Sequence, residues 1–123
     1  MTEIRGEDLK RRTKQFSLRV IRLCDTLPSK PAARVIANQL LRSATSVGAN
    51  YRAACRARSN ADFISKIGVV LEETDESGYW LDLLVESGLV TRQRLSDLLR
   101  ETEELIAIFA ASKITASGKR TIS

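Results

Sequence analysis

Gln39-Leu-Leu-Arg-Ser-Ala-Thr-Ser-Val-Gly-Ala-Asn-Tyr-Arg52 is the stretch on which the fold of this chain turns. Leu40, Ala44, Val47 and Tyr51 recur at steps of four and three, which places them on one face of a helix. Small polar residues, Ser43, Ser46 and Asn50 with Gln39, run beside that apolar stripe. A second stretch, Glu72-Glu-Thr-Asp-Glu-Ser-Gly-Tyr-Trp-Leu81, repeats the arrangement with Glu73, Ser77 and Trp80 flanking its stripe. Surface helices rarely need such residues, so the pattern points to a helical bundle with a polar seam or a subunit contact.

Working outward, the same periodicity gives three more helices. The first is expected over residues 7–26, with Leu9, Thr13, Phe16, Val20, Leu23 and Leu27 on its inner face. Pro28 disfavours helix at Leu27 and Pro31 suits a first helical turn, so the second helix begins near Pro31 and extends its stripe with Ala33, Ile36 and Ala54. Arg56-Ala-Arg-Ser-Asn60 reads as a turn, with Asn60 as the N-cap of a third helix over residues 61–87. Its expected inner face is Phe63, Ile67, Val70, Leu71, Thr74, Gly78, Leu81 and Val85, ended by Gly88. Thr91 caps a fourth helix carrying Leu95, Leu98, Leu99, Thr102, Leu105, Ile106 and Phe109.

With 123 residues, two prolines and six glycines, the chain has room for one core and little reason to form strands. The fold class expected is all-α: an antiparallel up-down-up-down four-helix bundle over residues 1–116, followed by a disordered tail over 117–123. No apolar run approaches a bilayer span and no signal-type apolar core follows the N-terminus, so membrane partners are not expected and the location expected is cytoplasmic. The chain contains no histidine and two isolated cysteines, Cys24 and Cys55, which excludes the common zinc and Ser-His chemistries. Both cysteines fall on or near apolar faces, where a free thiol acts as a small hydrophobe. No cofactor is expected.

Charge is divided unevenly. Residues 1–58 carry a net charge of +9 and residues 59–123 a net charge of −4. The up-down-up-down topology gathers Lys10, Arg11, Arg12 and Lys14 near Arg56 and Arg58 and near Lys113, Lys119 and Arg120. On the second helix, Arg34, Arg42, Arg52 and Arg56 make an outer stripe opposite the core. Guanidinium groups suit phosphate, because their planar fork donates two parallel hydrogen bonds. The plainer alternatives are a solvated face or intersubunit ion pairs with the acidic third helix. No aromatic residue interleaves with the arginines, so stacking on single-stranded bases is not indicated.

The polar seam invites a structural reading first. Glu73 bonded to Asn50 and the serines would satisfy groups that are costly to bury alone and would set helix register. A catalytic role for Glu73 and Glu76 would need a second positioned acid and a cleft, so no enzyme is expected. Glu72, Asp75 and Glu76 have the chemistry for a metal ion, but acids on solvated turns are more often plain surface. Leu18 and Ile21 on the first helix, and Leu84 with Trp80 on the third, are expected to face outward and favour self-association.

These stretches, with Arg52-Ala-Ala, Phe63-Ile-x-Lys66, Glu73-x-x-Glu76-Ser-x-Tyr-Trp-Leu81 and a Leu-rich last helix, resemble the bacterial four-helix-bundle proteins related to the 23S rRNA intervening-sequence protein. The resemblance covers roughly residues 10–114. That family is similar also to the accessory variability determinant of diversity-generating retroelements, a pentameric barrel that engages reverse transcriptase and nucleic acid. The resemblance therefore implies a homopentameric ring with basic surface open to RNA or DNA, and a reverse transcriptase as a candidate partner. It implies packing or interface roles for Ser43, Ser46, Asn50, Glu73 and Trp80. Tyr51 stands where many relatives have an aliphatic residue. The leading expectation is a non-enzymatic, oligomeric nucleic-acid-binding accessory protein, and the alternative is a structural or adaptor ring that binds no nucleic acid.

Overall fold

The computed structural model describes residues 2–118, with side chains from Gly6 onward. Four helices follow one another: α1 (Thr2–Asp25), α2 (Pro31–Cys55), α3 (Asn60–Glu86) and α4 (Arg92–Ser117). Short turns separate them, so each runs antiparallel to the one before, as an up-down-up-down bundle requires. Asn60 Nδ2 donates to Ala116 O at 2.7 Å, which ties the start of α3 to the end of α4. At the same end, Gly6 of α1 lies against Cys55 and Tyr51 of α2.

The helix boundaries have local causes. Pro31 opens α2, where its missing N–H would have had no partner inside the helix. Ser59, not Asn60, caps α3: its hydroxyl accepts from Asp62 N–H at 3.0 Å, while the Asn60 amide is drawn across to α4. Thr91 caps α4 as its position suggests, accepting from Arg94 N–H at 3.2 Å. Gly88 adopts φ +80° after α3, and the Val90 N–H then returns to Leu84 O at 3.1 Å. Only glycine takes that left-handed turn at no steric cost. Helix α4 ends at Ser117, one residue past the expected end of order, with Gly118 as its C-cap, and the rest of the expected tail, with Lys119 and Arg120, lies outside the described residues.

The core is built from the stripes read above, with Phe16, Leu40, Ile67, Leu81, Leu105 and Phe109 fully enclosed. Tyr51 and Phe109 meet at 5.5 Å between ring centroids. Three threonines also lie inside, and each donates its hydroxyl to the carbonyl four residues earlier: Thr13 to Leu9, Thr74 to Val70 and Thr102 to Leu98. That bond removes the penalty of burying a hydroxyl. Helix α3 is rotated from the expected face. Ile67, Val70, Thr74, Ser77, Leu81 and Leu84 are buried, whereas Phe63, Leu71 and Val85 are only partly covered. Leu84, expected outside, is fully enclosed.

The rotation has a cause at the α2–α3 contact. Ser43 and Ser77 are both completely buried, and their hydroxyl oxygens lie 2.9 Å apart. Two small side chains at the contact let these helices approach closely while the hydroxyls satisfy one another. The α1–α4 side is the most loosely packed, and long side chains span it. Ile106 and Leu99 of α4 are likewise half-covered, not enclosed. Cys24 is half-buried, and burial pushes its thiol up to about 11, with Asp25 adding to the shift. Cys55 is exposed, contrary to the expectation of an apolar setting, because it falls in the last turn of α2 where the stripe has passed to Ala54.

Candidate functional site

The basic residues divide into those used inside the bundle and those left at its surface. Arg12 turns toward α4 and holds Glu101 at 2.7 Å and Glu104 at 3.2 Å, closing the loosely packed side. The bond to Glu101 raises the Arg12 pKa despite partial burial. Arg42 reaches across to α3, where it engages Glu73 at 3.3 Å and also Glu76. Both arginines were expected to be free for phosphate; the structure places them in intramolecular ion pairs instead. A helical wheel shows that a residue faces outward but not which neighbour its long side chain can reach.

Arg42, Glu76 and Trp80 form one connected edge of the α2–α3 contact. The Trp80 indole N–H donates to Glu76 at 3.1 Å, and this bond first, then Arg42, holds the Glu76 carboxyl below its ordinary 4.5. Glu73 therefore pairs with Arg42 and not with Asn50 and the serines as expected. Asn50 bonds within its own helix, to Ser46 Oγ at 2.7 Å and Ser46 O at 2.9 Å. Among the described residues no cluster of three His, Cys, Asp or Glu side chains is placed to hold a metal ion. A folded-state pKa below the unfolded value stabilises the protein above that unfolded value, and the contribution disappears as pH falls through the folded one. The stability gap between wild type and Glu76→Gln, from urea melts at pH 7 and pH 3, is accordingly expected to narrow at pH 3; a constant gap would contradict the assignment.

The remaining cations converge around the C-terminal half of α2. On one flank, Lys10, Arg11 and Lys14 of α1 face Thr45, Gly48 and Arg52 of α2 across an open hollow of about 750 Å³. On the other flank, Arg52 of α2, its C-cap Arg56, Arg58 of the turn and Lys66 of α3 border a second hollow of about 890 Å³. Ala49 and Arg52 line both, so α2 forms a ridge of small residues between two cationic rows. Among the described residues, seven cations line this surface, against the carboxylates of Glu7 and Asp62.

Several of those cations have only local partners. Lys10 bonds Glu7 at 3.1 Å, Arg11 bonds Asp8, and Lys66 bonds Asp62 and holds that carboxyl below its usual range. Exposed pairs within one helix contribute about 0.5 kcal/mol or less, so these carboxylates hold their cations only weakly. Lys14, Arg52 and Arg56 engage no carboxylate among the described residues. Arg34 is exposed but sits near the start of α2, about 27 Å along the helix from Arg52 at 1.5 Å per residue, and does not join the group. Lys66 was missed in the sequence. Its place one turn beyond Asp62, in the second turn of α3, was the available signal.

Away from the ridge, Glu72, Asp75 and Glu86 of the acidic helix α3 are exposed, whereas α4 exposes Asp97, Glu103 and Glu104 together with Arg92, Arg94 and Arg100. Leu18 and Ile21 on α1 stay outward, each 37% exposed, and Trp80 is half-buried. No helix among the described residues is long and apolar enough to cross a membrane.

Comparison with known proteins agrees with this architecture. No curated protein matches the chain significantly. Among solved structures, a protein of unknown function from the S23 ribosomal protein family of Bacteroides thetaiotaomicron VPI-5482 superimposes with a TM-score of 0.79 at 34% identity, covering 85% of this chain and 96% of that one. Residues 7–111, nearly the whole bundle including the Ser43–Ser77 contact and the basic ridge, match the family described as 23S rRNA-intervening sequence protein, and the chain belongs to that family.

Proposed function

We propose that this protein is a non-enzymatic nucleic-acid-binding protein that holds the phosphate backbone of RNA or DNA on the basic ridge of α2. One observation carries the reading: Lys10, Arg11 and Lys14, far in sequence from Arg52, Arg56, Arg58 and Lys66, share one open surface with them. Like charges gathered with only a few exposed carboxylates to offset them repel one another, and a polyanion relieves that repulsion. Phosphate contacts of this kind release counterions, so affinity falls as salt rises, with a logarithmic slope of about −0.9 per neutralised phosphate on a duplex. A salt titration with short duplexes is expected to give a slope of about −4 to −6, as two cationic rows imply. No binding at low salt, or a slope near zero, overturns the reading.

Assembly belongs to the same proposal. The basic α1–α2 side of one copy and the acidic outer face of α3 of another would be complementary, and a head-to-tail contact repeated around an axis closes a ring. Leu18 and Ile21 supply apolar surface for such a contact. The resemblance implies five copies and a reverse transcriptase as the larger protein such a ring would dock. The second reading is a purely structural ring, in which the basic ridge is covered by a neighbour's acidic face and meets no nucleic acid. The same opposition of charge favours it, and charge reversal on α2 separates the two.

A further inference from the structure

Resting on the phosphate-binding reading above, we infer that the α2 ridge is a clamp for double-stranded nucleic acid, touching phosphates of both strands at once. The cations form two rows rather than one. Lys10, Arg11 and Lys14 lie on the α1 side of the ridge, and Arg56, Arg58 and Lys66 on the α3 side. Adjacent helix axes are about 8–10 Å apart and a helix with its side chains is about 10–12 Å wide, so the rows are separated by more than one helix diameter. A single strand follows one row at a time. A duplex presents phosphates on both sides of a groove, about 12 Å wide for the major groove of B-form DNA, and so meets both rows together.

The ridge between the rows agrees with this division of labour. Thr45, Gly48, Ala49 and Ala53 are small enough for a groove to approach closely, and Arg52 projects from the same stretch. Side chains suited to single strands are absent from the lining. Among the described residues no aromatic side chain borders either hollow, so unstacked bases find no platform there. Tyr51 is buried against Phe109, and Tyr79 and Trp80 meet edge-to-face far along α3. The nearby amides that would read base edges are engaged elsewhere, Asn50 with Ser46 and Asn60 with Ala116.

The test compares duplex RNA, duplex DNA and single-stranded RNA of equal phosphate number with the full chain at 100 mM salt. At least one duplex is expected to bind about tenfold or more tighter than the single strand, with a steeper salt slope, since more phosphates are neutralised and each counts about 0.9 rather than 0.7. Whichever duplex leads identifies the helical form the ridge accepts. In Lys10→Ala/Lys14→Ala, which removes most of one row from exposed positions, the duplex advantage is expected to shrink toward unity. Equal or tighter binding of the single strand by the wild type overturns the clamp while leaving phosphate binding intact, as does a duplex advantage that survives loss of the α1 row. If no probe binds, the underlying reading and the clamp fall together.

Discussion

Replacing Arg52 and Arg56 together with glutamate is expected to lower nucleic-acid affinity about a hundredfold at moderate salt, each reversal removing a phosphate contact and adding repulsion worth about a factor of ten. Arg52 lines both hollows and Arg56 lies one turn further along, so the pair affects both rows. Neither side chain is buried or ion-paired among the described residues, and the fold does not depend on either one. Their cost to stability is confined to the end of α2, where a basic residue is favoured over an acidic one by about 0.3–1 kcal/mol at an exposed site. Affinity from fluorescence anisotropy and mass from light scattering, measured on the same sample, separate the possible roles. Lost binding with the assembly intact agrees with a phosphate site. A variant whose assembly dissociates, with nucleic-acid binding absent in the wild type as well, agrees with the structural ring.

Phe109→Ala is expected to destabilise the bundle by about 3–5 kcal/mol, a large share of the roughly 5–15 kcal/mol available to a domain. Phe109 is completely enclosed and lies against Tyr51, so its removal leaves a cavity between α2 and α4. The loosely packed α1–α4 side offers some room for collapse, which favours the lower part of that range. Urea denaturation checks the value. A loss below about 1 kcal/mol would mean that α4 does not pack against α2 as described, since only partly exposed aromatic residues are removed so cheaply.

Much of this architecture was legible in the sequence because its signals are local. The three-and-four spacing of Leu40, Ala44, Val47 and Tyr51 identifies the inner face of α2, and Pro31 and Thr91 mark helix starts by mechanisms confined to one turn. Helix α3 was harder. Its apolar residues nearly encircle it, so Leu71 and Val85 competed with Ser77 and Leu84 for the inner face. The close Ser43–Ser77 contact decides that competition, and it depends on which helix lies opposite.

The site was legible in the same partial way. Topology alone predicts the Lys10–Lys14 group at the end of the bundle that holds Arg56 and Arg58; in the structure Lys10, Arg11 and Lys14 line one hollow, Arg56 and Arg58 another, and the two adjoin at Ala49 and Arg52. The fates of Arg12 and Arg42 were not legible, because each pairs with carboxylates on another helix, Glu101 and Glu104 for one and Glu73 and Glu76 for the other. Long side chains choose among neighbours that only the assembled bundle brings within reach. The expected bond between Glu73 and Asn50 failed for the same reason: Arg42 gives the carboxylate a charged partner, and Ser46 gives the amide a nearer one.

The central claim, that the ridge of α2 holds nucleic acid, is tested most directly by lysine footprinting: acetylation rates with and without a bound duplex, read residue by residue by mass spectrometry. Lys10, Lys14 and Lys66 border the two hollows, whereas Lys30 precedes α2 at the opposite end of the bundle and serves as an internal control. The account predicts that Lys10, Lys14 and Lys66 become protected in the presence of the duplex while Lys30 reacts as before. Protection of Lys30 with the other three unchanged, or no protection anywhere at saturating duplex, would contradict it.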